Sequence, residues 1–354
     1  MGKKIFNALG TMSGTSLDGV DVSFLKTDGN KIYSLGHSSY LPYSISLQKN
    51  ISSLIKLPHS IDLELMLETS NQITHTHATA IKKNLEKNNL KSSDIDLIGF
   101  HGQTIYHNPQ KKLTLQIGNP HLLSTLTNIR VMSDFRNKNI AEGEEGAPLA
   151  PLYHKILCAN LKKPIAILNI GGVSNVTYLG NHEEILAFDT GPGCALLNDF
   201  ILKKLKEPFD KNGTIAAKGK IHEKIVDNLI KEHSFFLKKP PKSLDRNEFK
   251  KISKDLANLS IEDTLATLTF FTAKTIFEST RFFPAKPMMW LTCGGGRHNK
   301  FLMHLLSKRF GLNIKSIDES SDLVENADGD FIEAQAFAIL SVRLFLGMPL
   351  TKMQ

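Results

Sequence analysis

The sequence predicts an α/β protein of two domains in which the same unit of strands and a helix occurs twice. The chain has 354 residues, which corresponds to two domains at about 150 residues each. A series of strand, glycine-containing turn, strand, strand and helix begins around Gly10 and again around Gly171. Such a repeat indicates a duplicated unit, with one copy in each domain. A chance coincidence of two hairpins with glycine turns is the simpler alternative.

In the first half, the spacing of apolar residues predicts strands that are followed by helices. Alternating apolar residues are typical of strands, and apolar residues three to four positions apart are typical of helices. The predicted strands are Ile5–Leu9, Val20–Leu25, Lys31–Tyr40, Ile95–Phe100, Leu113–Ile117 and Ile129–Ser133. The predicted helices are Ser44–Ile55, Ile61–Asn88 and a short one after Pro120. Polar residues, His101 and Asp134 among them, are therefore expected at strand ends.

The same signals start again in the second half. The predicted strands are Pro164–Ile170, Val176–Leu179, Glu184–Phe188 and Met288–Thr292, and the predicted helices are Cys194–Lys206, Ile261–Phe282, Asn299–Phe310 and Phe331–Leu346. The polar stretch Ser234–Lys254 contains two prolines and predicts an exposed loop. We expect a first domain of residues 1–150 that is closed by the helix in residues 332–354, and a second domain of residues 151–331, packed across a cleft.

Composition excludes several classes of protein. Hydrophobic residues make up 41% and charged residues 22% of the chain, which is ordinary for a globular protein and excludes disordered and fibrous chains. Lys and Arg number 43 against 35 Asp and Glu, which gives a formal charge of +8. The lysines occur as scattered pairs and not as a patch interleaved with aromatic residues, so we expect no nucleic-acid partner.

The cysteines and the apolar segments predict a cytoplasmic protein. Cys158, Cys194 and Cys293 are isolated in the sequence, as is typical of reduced intracellular proteins. Residues 1–9 lack the apolar core of a secretory signal. The apolar segment at residues 337–348 is interrupted by Arg343 and is shorter than the roughly 20 residues of a membrane span. We therefore expect no membrane association.

One segment joins two predicted strands with a high density of glycines, hydroxyls and acids: Gly10-Thr11-Met12-Ser13-Gly14-Thr15-Ser16-Leu17-Asp18-Gly19-Val20-Asp21. Glycine lets backbone N–H groups approach an anion, and Ser and Thr hydroxyls add donors. The segment lacks the Gly-Lys-Ser/Thr of a P-loop and precedes a strand. It predicts a hairpin that holds a polyphosphate, with Asp18 or Asp21 binding Mg²⁺ directly or through water. A tight turn without a ligand is the alternative.

Two further glycine-rich segments lie in the second half. Asn169-Ile170-Gly171-Gly172-Val173-Ser174-Asn175 predicts a second hairpin of the same kind. Cys293-Gly294-Gly295-Gly296-Arg297 follows a predicted strand, where bare backbone can lie against an adenine or a ribose. A glycine triplet alone is equally typical of a tight turn between a strand and a helix. Together the three segments predict nucleotide binding.

Asp189 is the candidate catalytic base. In Phe188-Asp189-Thr190-Gly191-Pro192-Gly193 it follows a predicted strand and precedes a helix, and α/β proteins place reactive groups at strand ends. A carboxylate there can orient and deprotonate a hydroxyl or water for phosphoryl transfer. The structural alternative is that Asp189 caps the following helix.

Polar groups at two further strand ends suit a polyhydroxylated ligand. They belong to His101-Gly102-Gln103-Thr104 and Ser133-Asp134-Phe135-Arg136, and Arg136 can bind a ligand carboxylate through two N–H groups. A single histidine is more often structural. Glu333, on the last predicted helix, has by itself the character of a solvated helix charge.

These segments together resemble the anhydro-N-acetylmuramic acid kinase family of the actin-like sugar kinase superfamily. The resemblance covers nearly the whole chain, and its first segment is long and specific, whereas many actin-like proteins share the glycine triplet. It rests on Gly10–Asp21, His101–Thr104, Gln116–Pro120, Asp134–Arg136, Gly146–Leu149, Asn169–Gly172, Phe188–Gly193, Pro241–Ser243 and Cys293–Gly296.

The resemblance implies two RNase H-like domains around a deep cleft that holds ATP and Mg²⁺. It implies that water attacks the anomeric carbon of 1,6-anhydro-N-acetylmuramic acid while O6 takes the γ-phosphoryl group. The products are then N-acetylmuramic acid 6-phosphate and ADP, in the recycling of bacterial cell-wall sugars. The family also suggests a homodimer, which no residue of this sequence shows.

The same matching implies roles for individual residues. Asp189 matches the family's base, and Asp18 is the predicted ligand of Mg²⁺. The predicted nucleotide site comprises Gly14, Thr15, Ser16, Leu17, Asp18, Gly19, Val20, Asp21, Asn169, Gly171, Gly172, Gly294, Gly295 and Gly296. The predicted sugar site comprises His101, Gln103, Asp134, Arg136 and Glu333.

The sequence departs from the family pattern at three places. Cys194 stands where Asn is usual, Glu144-Glu145 where Gly-Gln is common, and Leu244-Asp245 where Thr-Gly is common. The first and last departures can alter the affinity for nucleotide or sugar, but none removes the base. Two other functions stay open from the sequence: an actin-like kinase for another sugar or carboxylate acceptor, and a nucleotide-binding module without turnover.

Overall fold

The computed structural model describes residues 4–14, 16–56, 60–143, 146, 148–245, 248–249 and 256–351. Three residues named above, Thr15, Glu144 and Glu145, lie outside this part of the chain. The chain divides into two compact units, Met1–Ala159 with Ser321–Gln354 and Asn160–Ser320. The first unit includes residues 151–159, which the expected boundary at residue 150 places in the second domain.

Strands and helices of the described residues are numbered in chain order. The strands are β1 (Phe6–Ser13), β2 (Gly19–Thr27), β3 (Ile32–Leu35), β4 (Ser39–Pro42), β5 (Leu97–Asn108), β6 (Leu113–Ile117), β7 (Val131–Met132), β8 (Ile165–Ile170), β9 (Val173–Leu179), β10 (Ile185–Pro192), β11 (Met289–Cys293) and β12 (Ile314–Ser316). The α-helices are α1 (Ile45–Lys56), α2 (Leu63–Lys87), α3 (Pro120–Thr127), α4 (Phe135–Ala141), α5 (Ala150–Leu157), α6 (Ala195–Leu205), α7 (Glu223–Glu232), α8 (Ser234–Leu237), α9 (Ile261–Ser279), α10 (Lys300–His304) and α11 (Ile332–Phe345).

Short 3-10 helices connect several of these elements, and one π-helix follows α10. The 3-10 helices are Ser92–Asp94, Pro109–Lys111, Lys211–Gly213, Ala216–Lys218, Thr280–Phe282, Gly295–His298 and Ile317–Glu319. The π-helix is Leu305–Arg309. The helix predicted at Asn299–Phe310 is therefore divided into an α-helical and a π-helical part.

The first unit contains a mixed sheet in the order β3-β2-β1-β5-β6, with β4 paired to β2 and β7 to β5. β1 and β2 are antiparallel, and β1 and β5 are parallel. Buried apolar residues of α1 and α2, such as Ile51 and Ile73, belong to one core cluster with Leu9, Val20 and Ile98 of the sheet. This core holds the β1–β2 hairpin and the end of β5 in fixed positions.

A pair of glycines brings α11 against the same sheet. Gly10 on β1 and Gly99 on β5 are opposite each other in the parallel pairing. A Cβ atom at Gly10 would lie 1.9 Å from the carbonyl oxygen of Ala334, and one at Gly99 would lie 2.0 Å from that of Phe337. Only glycine permits this approach of helix and sheet, which fixes the place of Glu333 in the first turn of α11.

The second unit contains a sheet in the order β10-β9-β8-β11-β12. β8, β9 and β10 form an antiparallel meander, and β11 runs parallel to both β8 and β12. The helix α9 begins where the Ser260 hydroxyl accepts the N–H of Asp263 at 3.0 Å. Its buried residues Leu265, Phe271 and Ile276 pack in the core of this unit.

The two sheets share one strand order. β3-β2-β1-β5 in the first unit corresponds to β10-β9-β8-β11 in the second, with the same antiparallel and parallel pairings. The predicted α/β class, with one unit built twice, is confirmed.

β5 and β10 extend past the candidate residues that were expected to follow them. β5 continues through His101 to Asn108, because its second part pairs with β6. β10 continues past Asp189 to Pro192, because it pairs with β9 up to Val173. The polar residues that were expected after these strands therefore lie within them.

Other expectations are tested by the remaining described residues. The predicted loop Ser234–Lys254 contains the short helix α8, and part of it lies outside the described residues. Cys158 and Cys293 are buried, and Cys194 is partly buried. Among the helices of the described part of the chain, none has the length and apolar character to cross a membrane.

Candidate functional site

The first group of candidate residues lies at the hairpin between β1 and β2. The N–H of Leu17 donates to the carbonyl of Gly14 at 3.3 Å, and Leu17 has a φ of 59°. The Ser16 hydroxyl donates to Oδ1 of Asp18 at 2.7 Å, and both side chains are exposed. The turn therefore presents a hydroxyl and a carboxylate to solvent at one end of the sheet.

Gly19 and Val20 begin β2 and are buried there. They pair with Pro42 and Leu41 of β4, and a Cβ atom at Gly19 would lie 2.3 Å from the carbonyl oxygen of Leu41. These two residues support the hairpin, and they offer no side chain to a ligand.

Asp21 belongs to an acidic group that sequence spacing does not reveal. Burial raises the pKa of its carboxyl group to about 8, and nearby carboxylates add to this effect. These are, in order, Asp18, Glu333, Asp330 and Asp328. A cation would relieve the repulsion between them.

The oxygen atoms near Asp18 suit an Mg²⁺ ion that is bound partly by water and phosphate, rather than a metal ion enclosed by protein side chains. In the described residues, no group of three or more His, Cys, Asp or Glu side chains is arranged to hold a metal ion. Mg²⁺ is commonly bound by one or two carboxylates together with substrate phosphates and water. Asp18, exposed beside the Ser16 hydroxyl, fits such a partial site.

His101 and Arg136 form a pair of fixed orientation. Nε of Arg136 donates to Nε2 of His101 at 2.9 Å, and Nη1 of Arg136 donates to the carbonyl of Gly146 at 2.9 Å. Since arginine is only a donor, the His101 proton lies on Nδ1, which donates to the carbonyl of Gly102 at 2.8 Å. Burial and the Arg136 charge hold the pKa of His101 well below its usual value, so this imidazole is neutral.

Glu333 and Asp134 lie near this pair in different ways. Glu333 is exposed, but the protein atoms around it raise the pKa of its carboxyl group, and Arg136 opposes that shift. Asp134 precedes α4, the helix of Arg136, with a φ of 65°. Its Oδ1 accepts Nδ2–H of Asn137 at 2.6 Å. The structure thus brings His101, Arg136 and Glu333 into one electrostatic group, with Asp134 exposed at the edge of the same helix.

Gln103 lies beneath the hairpin, where it contacts protein groups. Its Oε1 accepts the Ser13 hydroxyl, and its Nε2 donates to the carbonyl of Gly14 at 3.4 Å. The Tyr43 hydroxyl donates to Oγ of Ser13 at 2.9 Å, which completes a buried chain of hydrogen bonds. Sequence analysis does not single out Tyr43, because nothing in its local pattern marks a contact 30 residues away. The placement of Gln103 favours support of the turn over contact with a sugar.

In the second unit, the β8–β9 hairpin is bonded to the start of α6. The carbonyl of Gly171 accepts the N–H of Cys194 at 2.8 Å, and that of Gly172 accepts the N–H of Gly193 at 3.0 Å. A Cβ atom at Gly193 would lie 2.3 Å from the carbonyl oxygen of Gly171. Burial raises the pKa of the Cys194 thiol to about 11, so this departure from the family pattern introduces a neutral side chain.

The glycine triplet lies beside this hairpin. Cys293 on β11 is opposite Asn169 on β8. A Cβ atom at Gly294 would lie 2.3 Å from Oδ1 of Asn169, and one at Gly296 would lie 2.3 Å from Cγ2 of Ile170. At Gly295 no described residue apart from its chain neighbours lies within 4 Å of that position. Two of the predicted nucleotide-binding segments therefore meet at the ends of neighbouring parallel strands, with open space at Gly295.

The triplet is held in place by an ion pair. Nε of the buried Arg297 donates to Oδ2 of Asp318 at 2.7 Å, and Nη1 donates to the carbonyl of Gly294 at 3.2 Å. The Ser316 hydroxyl donates to the same carboxylate oxygen at 2.7 Å. The backbone at the triplet is thereby fixed before any ligand binds.

Asp189 lies on β10, where backbone groups of a neighbouring segment hold it. Its N–H donates to the carbonyl of Lys242 at 3.1 Å, and its Oδ2 accepts the N–H of Leu244 at 2.8 Å. Burial raises the pKa of Asp189 to about 6, while Leu244 and Lys242 oppose that shift. The alternative that Asp189 caps a helix is wrong, because α6 begins at Ala195 with Cys194 as its N-cap.

Lys242 lies among aromatic rings, and its charge acts on Asp189. Its Nζ lies 4.3, 4.9 and 5.8 Å from the ring centroids of Phe235, Phe282 and Phe188. Nζ also donates to the carbonyl of Phe235 at 3.3 Å. Burial, followed by the Arg281 charge, lowers the pKa of Lys242 to about 8. In the sequence, Lys242 belongs to the segment Pro241–Ser243 of the family resemblance, which assigns it no role.

Known proteins resemble this chain over nearly its whole length. The sequence profile described as anhydro-N-acetylmuramic acid kinase matches residues 6–353. The anhydro-N-acetylmuramic acid kinase of Rhodopseudomonas palustris strain BisB18 is 42% identical over 97% of this chain and 94% of its own length. The Zymomonas mobilis protein of the same name is 39% identical over 97% and 94%.

A solved structure shares the fold. Component A of (R)-2-hydroxyglutaryl-CoA dehydratase from Acidaminococcus fermentans superposes with a TM-score of 0.50, at 15% identity, over 96% of this chain and 98% of that one. The profile match and the two bacterial relatives show that this chain belongs to the anhydro-N-acetylmuramic acid kinase family.

Proposed function

We propose that this chain is an ATP-dependent kinase that opens the 1,6-anhydro ring of 1,6-anhydro-N-acetylmuramic acid with water and phosphorylates O6. The products are N-acetylmuramic acid 6-phosphate and ADP. Family membership supports the substrate. The observation that carries the reaction is Asp189, whose carboxylate is held by the N–H of Leu244 at 2.8 Å and whose pKa is about 6.

Asp189 is suited to act as a general base near neutral pH. A base is most effective when its pKa lies close to the working pH, because it is then ionised and still able to accept a proton. In the proposed step, Asp189 takes a proton from water, the water oxygen bonds to C1, and the bond between C1 and O6 breaks. O6 leaves with its electron pair and bonds to the γ-phosphorus, and ADP is released. One carboxylate suffices, because phosphoryl transfer to O6 replaces the general acid of an inverting glycosidase.

The described residues fit a nucleotide in two places. The exposed Ser16 and Asp18 lie at the β1–β2 turn, and open space adjoins Gly295 in a rigid glycine triplet. We assign the phosphates to the hairpins around Gly14–Asp21 and Asn169–Gly172, and the adenosine to Gly294–Gly296. Bound at Asp18, directly or through water, Mg²⁺ would neutralise charge on the phosphates.

We assign the sugar to the group of His101, Arg136 and Glu333, with Asp134 at its edge. Arg136 uses Nε and one Nη1 proton for His101 and Gly146, so its Nη2 protons are oriented in advance for an anionic group. The lactyl carboxylate of the substrate is such a group. Gln103 acts in this proposal through the hairpin that it supports.

The proposal places the reaction in the bacterial cytoplasm, with small molecules as the only required partners and no nucleic acid or membrane involved. A homodimer is part of it because of the family resemblance, and sedimentation equilibrium would test that point separately.

The first experiment combines the protein with ATP, Mg²⁺ and 1,6-anhydro-N-acetylmuramic acid in ¹⁸O-labelled water, followed by mass spectrometry. A phosphorylated sugar that carries one ¹⁸O is expected. A phosphorylated sugar without ¹⁸O would show an ordinary kinase for an existing hydroxyl. Bound ATP without any phosphorylated sugar would refute the proposal in favour of another acceptor or of a module without turnover.

The second experiment tests the base. Asp189→Asn should leave ATP binding within about twofold of wild type and lower kcat by more than a thousandfold, since it removes the proton acceptor. Asp227→Asn is the matched control, because Asp227 pairs with Lys274 on the same unit and belongs to no proposed site. Turnover of Asp189→Asn within tenfold of wild type would contradict the assignment.

A further inference from the structure

We propose that Lys242 is a positioning residue for Asp189, which fixes the place of the base through its main chain and stabilises the ionised carboxylate through its ammonium group. The inference rests on the proposed function, because it takes Asp189 as the base. It adds a residue whose role neither the sequence pattern nor the family resemblance specifies.

The main chain around Lys242 holds Asp189 at two points. The N–H of Asp189 donates to the carbonyl of Lys242 at 3.1 Å. The N–H of Leu244 donates to Oδ2 of the same aspartate at 2.8 Å. One bond fixes the backbone of the base and the other fixes its carboxylate, and both come from residues 242–244. This segment therefore determines which way the carboxylate points.

The Lys242 side chain is placed by aromatic rings and a carbonyl. Ring centroids of Phe235, Phe282 and Phe188 lie within 6 Å of its Nζ, which is the range of cation–π attraction. The carbonyl of Phe235 accepts from Nζ at 3.3 Å. Phe188 immediately precedes Asp189 on β10, so the ammonium group lies near the strand that carries the base.

One further charged group of the described residues, Arg281, acts on this pair. Lys242 interacts electrostatically with Arg281 and Asp189, and Asp189 interacts with Lys242. Arg281 lies 3.9 Å from Glu278. Asp189 and Lys242 shift each other's pKa in favour of their charged forms. Between about pH 6 and about pH 8, both groups are charged. Asp189 loses its charge below this window, and Lys242 loses its charge above it.

The test compares Lys242→Met, Lys242→Arg and the wild type by the pH dependence of kcat and KM. Methionine keeps the apolar contact with the rings and removes the charge, whereas arginine keeps the charge. In Lys242→Met, the acidic limb of kcat/KM should move to higher pH by about half to one unit, because an opposite charge no longer favours the carboxylate. Lys242→Arg should restore the acidic limb.

Two controls separate a specific effect from a structural one. Lys274→Met removes another lysine whose Nζ lies over a phenylalanine ring, 5.9 Å from the centroid of Phe270, and should leave both limbs unchanged. Arg281→Gln removes the repulsion on Lys242 without touching the base. It should leave the acidic limb unchanged, because Lys242 is already charged at that pH. If Lys242→Met does not fold, the titration below still tests the inference: the Asp189 resonance of the wild type should shift again near pH 8 as Lys242 loses its charge, and Arg281→Gln should move that step to higher pH.

A titration that needs no turnover completes the test. Protein labelled with ¹³C at aspartate Cγ is titrated by NMR, and the Asp189 resonance is identified by its loss in Asp189→Asn. Its midpoint should rise in Lys242→Met and not in Lys274→Met. The inference would be overturned if, in Lys242→Met, both the NMR midpoint of Asp189 and the acidic limb of kcat/KM stayed within 0.2 pH units of their wild-type values. Absence of product from the wild type would refute the proposed function instead, while the NMR midpoint would still decide the effect of Lys242.

Discussion

Gly99→Ala tests the close contact between α11 and the sheet of the first unit. An added Cβ would lie 2.0 Å from the carbonyl oxygen of Phe337 and 2.7 Å from its carbon, whereas ordinary contacts begin at 3.4 Å. Helix and strand must therefore separate by about 1.4 Å at this point. Both partners are backbone, so no side chain can rotate away.

The expected magnitude follows from this overlap. Overpacking typically costs about 1–3 kcal/mol, and a clash between two backbones belongs at the upper end. For a domain of 150–250 residues, about 3 kcal/mol corresponds to a fall in Tm of about 6–12 °C. Because α11 carries Glu333 in its first turn, KM for the sugar should rise as well.

The assay is urea unfolding at pH 7, followed by thermal unfolding and steady-state kinetics. Gly295→Ala is the matched control, because a Cβ atom there meets no described residue within 4 Å apart from its chain neighbours. It should keep the wild-type free energy of unfolding and raise KM for ATP. A free energy of unfolding of Gly99→Ala within about 0.5 kcal/mol of the wild-type value would equal the effect of a neutral surface change. That result would show that the close contact with the sheet does not fix the position of α11.

The remaining predictions concern the sugar site and a buried histidine. Arg136→Lys should raise KM for the anhydro sugar at least tenfold and KM for ATP less than twofold, because lysine cannot bond His101, Gly146 and a carboxylate together. Arg130→Lys is the control. Equal changes in the two KM values of Arg136→Lys would contradict the assignment. His77 is fully buried, its Nε2 has no hydrogen-bond partner among the described residues, and burial lowers its pKa to about 4. The unfolded chain binds this proton more readily below about pH 6.5, so stability should fall between about pH 6.5 and pH 4, by up to about 3 kcal/mol. His77→Leu should weaken that dependence in urea unfolding, and an unchanged slope would refute the reasoning.

Local patterns located most strands and the long helices of this chain, with errors at their ends. They missed the helices α4, α5 and α7, and they joined β3 and β4 into one strand. The helix predicted at Ile61–Asn88 is observed at Leu63–Lys87, and the strand predicted at Leu113–Ile117 is observed with the same bounds. The errors at His101 and Asp189 share one cause. A strand ends where its pairing partner ends, and β6 and β9 are separate segments whose register the local pattern does not contain.

The candidate site shows the same division. Its glycine-rich turns were visible because nearby residues make them, as at Gly14–Asp18 and Gly171–Gly172. The roles of Tyr43 and Lys242 could not be predicted from the sequence, because their contacts join residues that lie far apart in it. Tyr43 bonds Ser13 across 30 residues, and Lys242 and Leu244 hold Asp189 across more than 50.

The sequence by itself determined the α/β class, the repeated unit, the glycine turns and the choice of Asp189. Apolar spacing and glycine content act over a few residues, so they can be read without a fold. Only the tertiary structure decided the protonation of these groups: the neutral His101 against Arg136, the pKa of about 8 at Asp21 and of about 6 at Asp189. Burial and neighbouring charges set a pKa, and both arise when segments that are distant in sequence pack together.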